Sequence, residues 1–180
     1  MMHEAVAGSF SGDGSKIAYN RIARETRTWK RYQGGTAQDV WLFDMTSHTD
    51  RRLTEFKGTD RIPMWIGDRI FFSSDRERVL NIFAMDPGTG RIEQRTRHHA
   101  YDVRRSSAGG SQIVYELGAA LWLLDVETGK TRALRIEVKA DAPERRAYLK
   151  DVSGDVTQVA CSPSGQRAVV VARGDVFTVP

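Results

Sequence analysis

The sequence predicts an all-β protein made of β-propeller blades, each of four antiparallel strands, in an incomplete, open arc. Three observations predict it. A β-branched and aromatic run ending in Asp recurs as Val40-Trp41-Leu42-Phe43-Asp44, Asn81-Ile82-Phe83-Ala84-Met85-Asp86 and Ala120-Leu121-Trp122-Leu123-Leu124-Asp125, with the aspartates 42 and 39 residues apart. A second apolar run precedes each copy: Lys16-Ile17-Ala18-Tyr19, Arg69-Ile70-Phe71-Phe72 and Gln112-Ile113-Val114-Tyr115, with a fourth at Arg167-Ala168-Val169-Val170-Val171. No stretch sustains a 3.6-residue apolar period, so almost no helix is expected. Short strands repeating about every 40 residues mark propeller blades rather than helices or a single sandwich.

The turns support the strands in order. Ser11-Gly12-Asp13-Gly14, Gly67-Asp68 and Ser162-Pro163-Ser164-Gly165 precede the Ile-aromatic runs. After the Asp come Pro87-Gly88-Thr89-Gly90 and Val126-Glu127-Thr128-Gly129-Lys130. The glycine of Thr-Gly supplies a positive φ that a residue with Cβ resists. Then follow Arg52-Leu53-Thr54, Gln94-Arg95-Thr96 and Arg132-Ala133-Leu134, which complete about four strands per unit. Successive Ile-aromatic runs are 53, 43 and 56 residues apart. The first excess is a basic insertion, Arg21 to Gly35, read as a long functional loop. The second is polar, Glu137 to Gly154, and reads as a linker between two propellers. Three blades and the first strands of a fourth unit fall short of the roughly four to eight blades of a closed ring. The chain is therefore expected to be a fragment of a larger protein, as the strand-like ending Phe177-Thr178-Val179-Pro180 suggests, or to assemble with its own copies.

The 180 residues suffice for a substantial core, and the net charge is a mild +4 with 28% charged residues. The basic excess gathers in Arg21, Arg24, Arg27, Lys30 and Arg31, opposed only by Glu25. A nucleic-acid footprint needs aromatics and cations across several elements, and here Trp29 and Tyr32 interleave in one loop, so no nucleic-acid partner is expected. Cys161 is the single cysteine, which excludes an internal disulfide framework and suits a reducing compartment. No signal-peptide core or span of transmembrane length occurs, so no membrane partner is expected.

Chemistry-bearing motifs are missing. Of the histidines His3, His48, His98 and His99, the adjacent pair would point to opposite faces of a strand and is poorly placed to chelate one metal. No Gly-x-Ser-x-Gly elbow occurs, and Gly109-Gly110-Ser111-Gln112 reads as a hairpin turn. Gly12-Asp13-Gly14-Ser15-Lys16 is too short for a phosphate loop and precedes a strand. No calcium loop appears. Asp44, Asp86 and Asp125 occupy equivalent places in successive units, which argues for acceptors of turn N–H groups rather than paired acid and base. Trp41, Trp65, Phe71, Phe72, Phe83, Tyr115 and Trp122 read as core between blades. No catalytic residue, cofactor or metal is assigned.

Several blocks carry a family likeness. Gly8-Ser9-Phe10-Ser11-Gly12-Asp13-Gly14-Ser15-Lys16-Ile17-Ala18-Tyr19-Asn20 and Arg27-Thr28-Trp29-Lys30-Arg31-Tyr32-Gln33-Gly34-Gly35-Thr36-Ala37-Gln38-Asp39-Val40-Trp41 resemble the propeller region of tricorn proteases. So do Gly58-Thr59-Asp60-Arg61-Ile62-Pro63-Met64-Trp65, Tyr101-Asp102-Val103, Ser162-Pro163-Ser164-Gly165 and Ala172-Arg173-Gly174-Asp175-Val176-Phe177-Thr178-Val179-Pro180. The likeness runs from about Gly8 to Pro180 and departs at Gly12, where the turn motif usually has Pro. It implies a six-bladed propeller, a seven-bladed one, a PDZ-like module and a serine-peptidase domain. Residues 1–136 would be closing blades of the first propeller, 137–154 the linker and 155–180 the opening strands of the second. The family's catalytic serine, histidine and glutamate lie in its C-terminal domains and match nothing here.

The resemblance implies a non-catalytic segment that filters or channels peptides beside a proteolytic chamber, in a cytoplasmic homo-oligomer. Its partners would be peptides and the remaining domains of the parent. The alternative is a protein-binding module like the propeller of the Tol system, which would not require the basic insertion. Candidate substrate-binding residues are Arg24, Arg27, Lys30 and Arg31. Either Trp29 and Tyr32 pin the loop while the cations are solvated, or guanidinium forks face the peptide route and hold carboxylates.

Overall fold

A computed structural model describes residues 4–22, 26, 30–139 and 146–180. The chain divides into two compact units, Met1–Ile136 and Glu137–Pro180. The first holds three sheets, each a four-stranded meander whose neighbours are antiparallel. Blade one is β1 (Val6–Phe10), β2 (Lys16–Asn20), β3 (Trp41–Asp44) and β4 (Thr49–Arg52). Blade two is β5 (Asp60–Ile66), β6 (Arg69–Ser74), β7 (Asn81–Met85) and β8 (Ile92–Gln94). Blade three is β9 (Val103–Gly109), β10 (Gln112–Leu117), β11 (Ala120–Asp125) and β12 (Thr131–Ala133). The second unit is a three-stranded antiparallel sheet, β13 (Val156–Cys161), β14 (Ala168–Ala172) and β15 (Asp175–Val179), preceded by a 3-10 turn at Ser153–Asp155. Among the described residues that turn is the one helical element.

Blade two shows why these runs are apolar throughout. All five residues of β7 are buried. Successive side chains of a strand point to opposite faces, and both faces are covered here. Ile70, Phe72, Phe83 and Met85 pack with Ala18 and Val40 of blade one. Phe71, Ile82 and Ala84 pack with Val103, Ile113, Tyr115 and Leu124 of blade three. The outer faces of blades one and three lack such cover, and Phe10 and Leu121 stand 59% and 40% exposed. The arc of the first unit is therefore open.

The first strands of successive blades approach one another, β1 against β5 and β5 against β9, so the first strand is the innermost. Each carries a one-residue β-bulge with a left-handed residue: Ala7 at φ 47°, Ile62 at φ 52° and Arg105 at φ 47°. For β-branched Ile62 that conformation is strained. It is held from the neighbouring blade. The buried Asn20 side chain accepts the Ile62 N–H (2.9 Å) and donates to the carbonyls of Asp39 (2.8 Å) and Asp60 (3.0 Å).

The polar positions that follow each Asp strand fasten the outer strand. Thr54 Oγ1 accepts the Val40 N–H (3.0 Å) and Thr96 Oγ1 accepts the Ile82 N–H (2.9 Å). At the opposite end Arg51 donates to the Pro87 carbonyl and Arg95 to the Val126 carbonyl, each 2.7 Å away on the next blade. Replacing Asn20 with Ala strands three backbone groups, one buried and two partly buried, and releases the Ile62 bulge. Stability should fall by about 2–4 kcal/mol, read as a lower urea midpoint; an unchanged midpoint would remove Asn20 from this role.

Candidate functional site

A four-stranded meander sorts its connections to two ends. Hairpins β1–β2, β3–β4 and their equivalents lie at one end of each blade; the β2–β3 type loops and the blade-to-blade connections lie at the other. The turn aspartates are at the hairpin end. Asp44 Oδ1 accepts the N–H groups of Thr46 and Ser47, Asp86 Oδ1 those of Gly88 and Thr89, and Asp125 Oδ1 those of Glu127 and Thr128. These bonds hold all three carboxyls below the usual carboxylate range. They stabilise turns and are not an acid–base pair. Gly90 (φ 75°) and Gly129 (φ 70°) take the positive φ those turns need.

The basic insertion lies at the other end, between β2 and β3. Arg21 is committed within blade one: its guanidinium lies 3.4 Å above the Trp41 ring and pairs with Asp50, which also accepts the Tyr19 hydroxyl. Arg24, Arg27 and Trp29 lie outside the described residues. Lys30 Nζ reaches across to Asp102 Oδ2 at 2.7 Å, at the entry to the innermost strand of blade three. The Asp102 side chain is 8% exposed, and its other oxygen accepts the Leu80 N–H (3.1 Å). Arg31 is exposed, in the left-handed region at φ 53°, and has no partner among the described residues. The structure thus uses Lys30 as a fastener and leaves Arg31 outward.

Asp60, the first residue of β5, is the buried carboxylate of blade two at this end. It is fully buried and accepts Arg76 Nη2 on both oxygens (3.0 and 2.9 Å). Phe56, Phe72 and Phe83 surround that guanidinium with ring centroids 5.0–5.5 Å away. Asp39 pairs with Arg52 at 2.7 Å, and burial still pushes its carboxyl above the ordinary range. A cleft of about 470 Å³ opens where the insertion meets blade three, lined by Lys30, Tyr101, Asp102, Arg104, Glu116 and Leu117 among others. Neither Arg104 nor the pairing partners of the insertion stand out as site residues in the sequence. The adjacent arginines after Asp102-Val103 were the available signal.

His98 and His99 lie in the connection between β8 and β9 rather than on a strand, and they still part company. His98 Nε2 lies 2.9 Å from the Tyr115 hydroxyl, and its ring packs edge-on against Trp122, whereas His99 is exposed. Among the described residues no group of three potential ligands could hold a metal. Ser111 sits in the β9–β10 hairpin, where its carbonyl accepts the Val126 N–H. No described helix is long and apolar enough to cross a membrane.

A family model described as the tricorn protease N-terminal beta propeller domain matches residues 1–130. Tricorn protease homolog 2 of Streptomyces coelicolor is 31% identical over 156 residues, covering 85% of this chain and 13% of the relative. The chain thus spans a small part of that relative's length. The crystal structure of the tricorn protease superposes with a TM-score of 0.70 at 22% identity, over 97% of this chain and 16% of that one. The Tol-Pal system protein TolB of Wolinella succinogenes is 33% identical over 113 residues, 61% of this chain and 24% of the relative.

Burial, with a smaller push from His99, depresses the His98 pKa below 6.5. The unfolded chain then binds more protons than the folded one as pH falls through 6.5, so His98 contributes stability above that pH and loses it below. Urea titrations at pH 7.5 and 5.5 should show a smaller drop in midpoint for His98→Phe than for the wild type. Equal drops would mean that His98 is not a source of acid sensitivity.

Proposed function

The chain belongs to the tricorn protease N-terminal β-propeller family, and from that premise we propose that it is a non-catalytic wall segment of a tricorn-like serine peptidase, filtering or channelling peptides to and from the proteolytic chamber. A propeller channel is narrow, so unfolded peptides pass where folded domains cannot. Residues 1–136 would supply the closing blades of the first propeller, 137–154 the linker and 155–180 the opening strands of the second. The parent is a cytoplasmic homo-oligomer, and its remaining domains carry the chemistry.

One observation carries this reading further than the family alone. The basic insertion leaves blade one and is fastened by Lys30 to Asp102, at the entry to the innermost strand of blade three. Lys30 is thereby held at the end of the innermost strands, where a channel would open. Arg24, Arg27 and Arg31 are the cations proposed to meet peptide carboxylates, for which guanidinium forks are suited. Lys30 takes part by holding the loop rather than by offering a free charge.

The likeness to a Tol-Pal protein supports a second reading, a protein-docking module. The two part on the insertion. In the full-length parent, Arg27→Ala with Arg31→Ala should raise KM for short peptides and leave kcat nearly unchanged, the sign of lost uniform binding. An unaltered KM at low salt, where such contacts are least screened, would favour the docking module. The 180-residue chain alone should not cleave fluorogenic tri- and tetrapeptides. Turnover that survives purification and disappears on mutating one serine would overturn the non-catalytic assignment.

A further inference from the structure

Blade three presents two adjacent arginines on its innermost strand. Regular pleating would send Arg104 and Arg105 to opposite faces. The bulge prevents this: Arg105 and Ser106 together oppose Tyr115, Arg105 sits at φ 47°, and both arginines are exposed. They are not equivalent. Arg105 Nη1 lies 3.5 Å from Glu116 Oε2. Arg104 lines the cleft of about 470 Å³ beside the insertion, and its side chain has no hydrogen bond or ion pair to a described residue.

The other charges of that cleft are spoken for. Asp102 holds Lys30 and the Leu80 N–H, and Glu116 faces Arg105. What remains is one guanidinium, with Leu117 and the 62% exposed ring of Tyr101 beside it. A single free fork next to exposed apolar surface is the complement of a carboxylate next to an apolar side chain.

We propose that Arg104 is a carboxylate-binding residue for peptides, with Tyr101 and Leu117 receiving a neighbouring apolar side chain. The proposal rests on the reading that this chain handles peptides. It adds a binding residue on β9, separate from the cations of the β2–β3 insertion. The carboxylate could be a peptide C-terminus or an acidic side chain, and the test separates the two.

Fluorescein-labelled Ala-Ala-Phe with a free C-terminus, the same peptide amidated, and amidated Ala-Glu-Phe are titrated with the 180-residue chain at low ionic strength, with anisotropy as the readout. The wild type should bind at least one carboxylate-bearing peptide more tightly than the neutral amide. A preference for the free acid alone assigns the C-terminus; a preference for the Glu peptide assigns side chains. Arg104→Met should lose that preference, weakening binding roughly three- to ten-fold, and Arg104→Lys should keep part of it. An unchanged urea midpoint shows that Arg104→Met is folded. Equal affinity of Arg104→Met and wild type, or no preference in the wild type, overturns the proposal. Arg31→Ala keeps the two ideas apart: loss with Arg31→Ala alone leaves the insertion reading standing and removes Arg104, and loss with Arg104→Met alone does the reverse.

Discussion

A blade of this protein is apolar on both faces, and that constraint governs the rest. A half-buried sheet alternates apolar and polar residues, but β7 reads Asn-Ile-Phe-Ala-Met and buries every position. Phe83 and Met85 go to blade one, Ile82 and Ala84 to blade three. Such a sheet cannot stand in water alone. It needs a neighbour on each side, and only the middle blade has both within this unit. The sheet of residues 156–179 lacks that cover within its own unit: Val159, Val176 and Phe177 are 63%, 66% and 44% exposed. Exposed apolar faces of this kind invite association.

Because apolar packing is non-directional, polar contacts set how one blade meets the next. Asn20 satisfies three backbone groups across the interface of blades one and two and secures a left-handed Ile62. Arg51 and Arg95 each reach the carbonyl that follows the turn aspartate of the next blade. The two ends of the arc consequently differ. The hairpin end is built of self-satisfied Asx turns. The other end collects the long insertion, the buried Asp60–Arg76 pair and Asp102.

That division also sorts the cations. Several are already spent: Arg21 on Trp41 and Asp50, Arg76 on Asp60, Lys30 on Asp102, Arg105 on Glu116. An exposed pair such as Arg105–Glu116 adds little stability. The partly buried Asp102 is different, because an unpaired carboxylate there would be costly. Fastening Lys30 therefore also neutralises a buried charge, and Arg104, which pairs with no described residue, stands beside the fastening point.

The sequence by itself determined the blades. The Asp-terminated runs, the Thr-Gly turns and the second apolar runs are local signals, and each became a strand or turn where it was read. Asp44, Asp86 and Asp125 were legible as turn acceptors because an Asx turn involves residues two and three positions on. The insertion was legible from spacing, but its contacts were not. Lys30 and Asp102 meet across 72 positions of chain, and Asn20 and Ile62 across 42. No periodicity encodes such a meeting; it follows from how twisted sheets stack. The exposure of Arg104 beside Arg105 was decided the same way. Read along a regular strand one of the two turns inward, and only the bulge, fixed by pairing with β10, sends both to solvent.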